Sequence, residues 1–311
     1  MRVFVAGASG AIGRPLVARL VADGHDVVGT TRDERKAPAL REQGADPVVL
    51  DALDLPALRA AVLDAEPEVV VHQLTALPAE ADPKAFGPAL AMTNRLRRET
   101  VPALVAAGAE AGARRAVVQS IAFVTKPDGR PVHDEDAPLW LDAPASFRDN
   151  MATVRDLEAA TTQADGIEGV VLRYGFYYGP GTWYDPEGTM GTMLRKRRYP
   201  VIGGGAGRQS FVHVDDAVDA TVRALDHGAP DIYNICDGEP AAARDWVPEA
   251  ARLLGAKPPR RLPAWIARRL AGDAVVHYNT TLPGNSNARA LAALPGWTPR
   301  PWRQGFAEVF G

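Results

Sequence analysis

A glycine-rich turn, Gly7-Ala8-Ser9-Gly10-Ala11-Ile12-Gly13, follows directly on the short apolar run Arg2-Val3-Phe4-Val5-Ala6. Ile12, Leu16, Val17 and Leu20 then recur at helical spacing, with Asp23-Gly24 as the stop. Strand, glycine turn and helix in that order form the opening unit of a doubly wound α/β sheet. Each glycine has a physical task there. Gly7 permits the tight turn, Gly10 lets a pyrophosphate approach the backbone, and Gly13 lets the helix pack close to the strand. Ser9, Ala11 and Ile12 complete the expected dinucleotide cradle. The helix start offers its free N–H groups and partial positive charge to the phosphates.

The second strand, His25 to Thr31, ends at Arg32 rather than at an acidic residue. An acidic side chain here would grip a ribose 2′-hydroxyl, whereas arginine accommodates a 2′-phosphate. With Arg35 and Lys36 close behind, NADP(H) is the expected cofactor. Further strands are read at Pro47–Leu50, Glu68–Leu74, Arg115–Ser120 and Gly169–Tyr174, with a long helix over roughly Met92–Ala111 in which Pro102 should make a kink or mark the first turn. This alternation predicts a parallel sheet with helices on both faces. After Gly175 the glycine and aromatic content rises. A dinucleotide-binding domain is therefore expected over 1–174, with 211–235 returning to it, and a smaller substrate-binding domain over 175–210 and 236–311. Asp215 or Asp216 is the expected cap of a helix in the returning segment.

Composition removes several classes of function. Net charge of −3 and a pI near 6.1 give no global basis for nucleic-acid binding. The single Cys236 cannot form an intrachain disulfide, and no apolar run reaches the length of a membrane span. The chain enters its first strand at once, so no signal peptide is expected and a cytoplasmic location is. The six histidines are scattered without metal-ligand spacing. No serine lies in a Gly-x-Ser-x-Gly turn. A small-molecule substrate remains the natural partner.

The glycine turn, Asp51 after the third strand, His72-Gln73-Leu74-Thr75 closing the fourth and Ser120 closing the fifth form an ordered set. Leu172-Arg173-Tyr174, Tyr178-Gly179-Pro180, Phe211 to Asp216, and Ser286-Asn287-Ala288-Arg289 with Gly296-Trp297 continue it. Together these resemble the extended short-chain dehydrogenase/reductase family, the group containing the nucleotide-sugar epimerases and dehydratases. The resemblance implies that Asp51 and Ala52 flank the adenine and that Leu74 and Thr75 run beside the ribose and nicotinamide. It also implies that Tyr174 to Phe176 lie at the nicotinamide end, and it suggests a homodimer through the long helices.

The resemblance breaks at the catalytic pair. The family carries Tyr-x-x-x-Lys early in the helix after the fifth strand, usually with Glu four residues beyond the Lys. Glu158 matches that Glu, which puts Asn150 at the Tyr position and Val154 at the Lys position. Asn150 can hydrogen-bond but has no proton to exchange near neutral pH. Val154 can do neither. Ser120 survives, and with Asn150 and Tyr178 it makes up the expected catalytic set. Tyr177, Tyr184, Asp149, Asp185, His133 and His213 are further candidates for a replacement acid or base. Three readings follow: oxidoreduction of a carbonyl or alcohol on a partly apolar molecule with a substitute acid; a redox-neutral isomerase, lyase, cyclase or epimerase; or a non-catalytic nucleotide sensor.

Two other stretches bear on substrate. Arg195-Lys196-Arg197-Arg198 points all round a helix and reads as a solvated surface. Sugar-nucleotide enzymes of the family commonly carry arginine where this chain has Gln209, which argues against such a substrate. The aromatic stretch Tyr174 to Tyr184 suits a ring-bearing or apolar ligand.

Overall fold

The computed structural model describes the backbone of residues 1–78 and 83–311, and the side chains of 1–78 and 86–311. The chain begins with β1 (Arg2–Ala6), α1 (Gly13–Ala22), β2 (Asp26–Thr31), α2 (Ala37–Glu42), β3 (Asp46–Val49), α3 (Leu55–Ala65) and β4 (Val69–His72). It continues through α4 (Pro83–Glu110), β5 (Arg115–Ile121), β6 (Val132–His133), α5 (Ala145–Thr162), β7 (Glu168–Tyr174) and β8 (Phe176–Tyr178). Strand Ile232–Ile235 joins β7, β5, β4, β1, β2 and β3, in that order, in one seven-stranded sheet. Every pairing in it is parallel. The strand order reverses between β1 and β4, and a crevice at such a switch point is where doubly wound sheets take ligands.

Both faces of the sheet are covered because its strands are apolar at successive positions. Val3 and Val5 face α1 and helix Val214–Arg223, packing with Leu16, Val17, Leu20, Ala217 and Val218. Phe4, Val70 and Val118 face the other way, onto Val62, Leu104, Met151 and Leu157 of α3, α4 and α5. Each fully buried Val or Leu contributes roughly 1.5–3 kcal/mol. A third cluster, with Tyr178, Phe211, Trp246, Phe306 and Phe310, forms the C-terminal layer. There β8 pairs with strand Phe211–His213.

Two local expectations need correcting. Pro102 lies well inside α4, so it does not mark the first turn. The cap of helix Val214–Arg223 is His213, whose Nδ1 accepts the Asp215 N–H at 3.1 Å. Asp215 and Asp216 instead occupy the first turn, where carboxylates favour the positive end of the helix dipole.

Candidate functional site

The turn after β1 is built by main chain. Gly7 has φ +93°, and a Cβ there would stand 2.9 Å from the Gln73 carbonyl. At Gly13 a Cβ would stand 2.1 Å from the Gly7 oxygen. Gly10 meets only the Gly7 oxygen, at 3.3 Å, and Gly10 and Ala11 are exposed while Ile12 is buried. The turn is tied to β2 by Gly7 N–H donating to Thr30 Oγ1 at 3.0 Å and by a 3.0 Å hydroxyl contact between Ser9 and Thr31. Past the ends of β3 and β4 lie exposed Asp51, buried Ala52, half-buried Leu74 and exposed Thr75. These residues fit a dinucleotide: the glycines clear the space beside the positive end of α1, where the Arg14 N–H is taken by the Gly10 carbonyl and Pro15 has none. Tyr174 differs from expectation. It is buried, and its hydroxyl contacts Thr221 Oγ1 at 2.6 Å.

At the end of β2, Arg32 is exposed, and Asp33 follows it immediately. Arg35 lies bidentate on the Asp33 carboxylate, with both bonds at 2.9 Å, and holds that carboxyl below its ordinary range. Arg35 therefore adds little free positive charge at the strand end.

The expected catalytic residues do not converge. Ser120 is fully buried, and its hydroxyl donates to Glu158 Oε1 at 2.9 Å. Glu158 in turn holds Arg173 through two 2.7 Å bonds, with both side chains at most 5% exposed. Asn150, also buried, accepts a 3.4 Å bond from Arg97 Nη1 of α4. Val154 packs fully buried beside Met151 and Leu157. Tyr178 is the clear correction. Strand alternation turns it into the C-terminal cluster against Phe211, His213 and Phe306. There burial pushes its pKa far up and its hydroxyl has no partner among the described residues. Its neighbour Tyr177 is half-buried, and its hydroxyl accepts a 3.5 Å bond from Gln119 Nε2.

The other candidate acids and bases have structural uses. Asp149 pairs with Arg98 and Asn94, each at 2.8 Å. Asp185 accepts the N–H groups of Gly181 and Glu187. His133 sits buried between Thr125 and Asp128. Tyr184 is buried in the C-terminal cluster.

An aromatic wall stands past the end of β5. Phe123 stacks on Phe176 at 4.4 Å, and Tyr278 meets both edge-on at 6.1 and 5.9 Å. Phe147, one turn before Asn150 on α5, meets Tyr278 at 5.9 Å. Phe123, Phe176 and Tyr278 are half-buried, as a wall facing a ligand requires. Sequence reading found Phe176 but missed Phe123 and Tyr278. Phe123 carried a signal, since it follows the carboxyl end of a central strand; Tyr278, on a distant helix, carried none. Gln209 is engaged elsewhere, donating to the Tyr278 carbonyl and accepting from Trp246, both at 2.7 Å.

A family model described as "NAD dependent epimerase/dehydratase family" matches residues 3–236. A 3-diazoavenalumate denitrifying reductase of a Streptomyces sp is 49% identical, covering 99% of this chain and 100% of that protein. The structure of MoeE5 in complex with UDP-glucose and NAD is similar at 25% identity and TM-score 0.72, over 100% of this chain and 97% of that one. A UDP-glucose 4-epimerase of Thermus thermophilus, in complex with NAD, is similar at 24% identity and TM-score 0.73, over 100% and 98%. Both of those structures hold NAD, which overturns the expectation of NADP(H) from Arg32. The Asp33–Arg35 pair supplies a physical reason: an acidic group does stand at the end of β2, one residue later than expected. Among the described residues no helix is long and apolar enough to cross a membrane, and no cluster of His, Cys, Asp and Glu could hold a metal ion.

Proposed function

The chain belongs to the NAD dependent epimerase/dehydratase family and is a nicotinamide-dependent enzyme acting on a small organic molecule; from that premise we propose that it removes dinitrogen from an aromatic diazonium by hydride replacement. The observation that carries this reading is the face of α5, where Asn150 and Val154 leave no proton donor. Carbonyl reduction, the finer expectation from sequence, makes an alkoxide that must be protonated. Asn150 has no such proton. The Ser120 hydroxyl is committed to Glu158, and the Tyr177 ring packs on Tyr174 at 5.3 Å.

Hydride replacement of a diazonium needs no proton. A reduced nicotinamide bound at the cradle supplies the hydride. The carbon–nitrogen bond breaks with its electron pair leaving on nitrogen, the hydride pair forms the new carbon–hydrogen bond, and N2 departs. The substrate cation and the hydride together balance the neutral products. The relative at 49% identity is named for a diazo substrate and for denitrification, which supports the same chemistry here. Phe123, Phe176 and Tyr278 would seat the ring and exclude the water that would otherwise replace nitrogen with hydroxide. Asp33 is proposed to take the adenosine ribose hydroxyl of NAD(H).

The test pairs NADH deuterated at C4 with 4-carboxybenzenediazonium. The expected result is one N2 per NADH oxidised and one deuterium on the former diazo carbon. NADH oxidation with aryl aldehydes or ketones, and none with the diazonium, would establish carbonyl reduction instead.

A further inference from the structure

Three arginines in the run Arg95-Leu96-Arg97-Arg98 of α4 have different fates. Arg95 pairs with Glu99 and Arg98 with Asp149, both at the surface at 2.8 Å. Arg97 is 4% exposed. Among the described residues its guanidinium makes one hydrogen bond, the long one to Asn150, and no ion pair. A guanidinium carries five donors, and burying its charge without a counter-ion is expensive. The carboxylate of Glu158, which acts on Arg97 electrostatically, is already held by Arg173 and Ser120.

The surroundings place this charge between the end of β4 and the Asn150 face of α5. His72, at the end of β4, is pushed down to about 3, first by burial and then by Arg97. That ring is neutral and offers no counter-charge. Tyr177, the residue after Phe176, is close enough for Arg97 to oppose the rise that burial gives its pKa. Asn150 sits one turn from Phe147, which touches Tyr278. Asn150 Nδ2 donates to nothing among the described residues, so a second donor stands beside the guanidinium.

We propose that Arg97, with Asn150 Nδ2, is the anchor for an oxyanion, carboxylate or phenolate, carried by the aromatic substrate that rests on Phe123, Phe176 and Tyr278. The inference rests on the aromatic-substrate reading above. A neutral ribose would leave the buried charge unanswered, whereas an oxyanion neutralises it. If the anion is a phenolate conjugated with the diazo carbon, the guanidinium also draws electron density off the ring, making that carbon a better hydride acceptor. The chain thereby supplies a cation from α4 where α5 has none.

The experiment measures binding of 4-hydroxybenzoate, its methyl ester and 4-methoxybenzoate to the NAD-loaded full chain by calorimetry. One of the two blocked probes should bind at least tenfold more weakly than 4-hydroxybenzoate, and its identity names the oxygen held. Arg97→Gln should lose at least tenfold for 4-hydroxybenzoate with NAD affinity within twofold of wild type, and Arg97→Lys should recover part of the loss. Arg97→Met should raise the melting temperature of the ligand-free protein, where a merely structural arginine would lower it. The proposal is overturned if wild type binds none of the probes or binds all three alike. It is equally overturned if a folded Arg97→Gln binds the anion as wild type does, or loses NAD instead. Should Arg97→Gln not fold, Arg97→Lys decides, and unchanged anion affinity in it counts against the proposal. Absence of N2 release would remove the diazonium reaction while leaving anion binding at Arg97 intact, so the two failures are distinguishable.

Discussion

The turn at Gly7–Gly13 and the face of α5 at Asn150–Val154 are held by different means. At the turn the spacing is set by backbone against backbone, and the Cβ positions of Gly7 and Gly13 already collide with neighbouring main chain. Almost no substitution fits there. On α5 the positions are set by side chains, and the helix forms whichever residues occupy them. Glu158 lies one turn beyond Val154 on that helix, and its carboxylate is tied into the sheet through Ser120 and Arg173. The difference shows where such a scaffold can change its chemistry. Backbone that holds a cofactor, and ion pairs that hold a helix, constrain the sequence tightly. Side chains that only move a proton can be exchanged without disturbing either.

Four substitutions would break or sharpen this contrast. Glu158→Ala strands Arg173 as a buried charge and should lower stability by about 4 kcal/mol, read from urea midpoints. A loss below about 1 kcal/mol would show that Glu158 is free to serve a ligand. Gly13→Ala drives a methyl into the Gly7 carbonyl. It should cost about 3 kcal/mol and abolish NAD binding by calorimetry, and an unchanged Kd would refute the account of the turn.

Between the two regions, His72 tests the buried end of β4. Its folded pKa of about 3 lies below the unfolded 6.5, so its neutral form stabilises the protein fully above pH 6.5. That contribution is lost progressively as the pH falls toward 3. Stability at pH 5 should therefore be about 2 kcal/mol lower than at pH 7 from this residue, and His72→Gln should flatten that slope. The smallest effect is expected at Asp33. Asp33→Ala should weaken NAD roughly five- to tenfold, about 1 kcal/mol, through one lost hydrogen bond to a charged group. Equal affinity in the variant would remove Asp33 from the cofactor site.

The sheet and the glycine turn were legible because they rest on local pattern. Val3, Phe4 and Val5 form an apolar strand, Leu16, Val17 and Leu20 have helical period, and glycine at position 13 is demanded by the nearby Gly7 carbonyl. The missing catalytic pair was legible as well, since Glu158 fixes its register. Tyr178 was misjudged because a three-residue strand gives too short a run for alternation to say which tyrosine faces inward. Arg32 misled because Asp33 stands one position beyond it, a margin finer than sequence reading of a strand boundary. Arg97 was invisible for another reason. In sequence it is one of three arginines in a polar helix segment, and only the packing of α4 against α5 makes it the buried one.

Strand Ile232–Ile235 lies on the outer side of β7, although 57 residues separate the end of one from the start of the other. Synthesis therefore delivers β7 to the growing sheet long before its outer neighbour exists. Until then its Glu168–Tyr174 ladder presents bare N–H and C=O groups along one side, a template for pairing with a foreign strand. The whole C-terminal layer up to strand Phe211–His213 must emerge before that edge is closed. A fragment ending at Tyr174 would keep the glycine turn and carry an open seam, so the turn and the closed edge of the sheet are secured by different parts of the same chain.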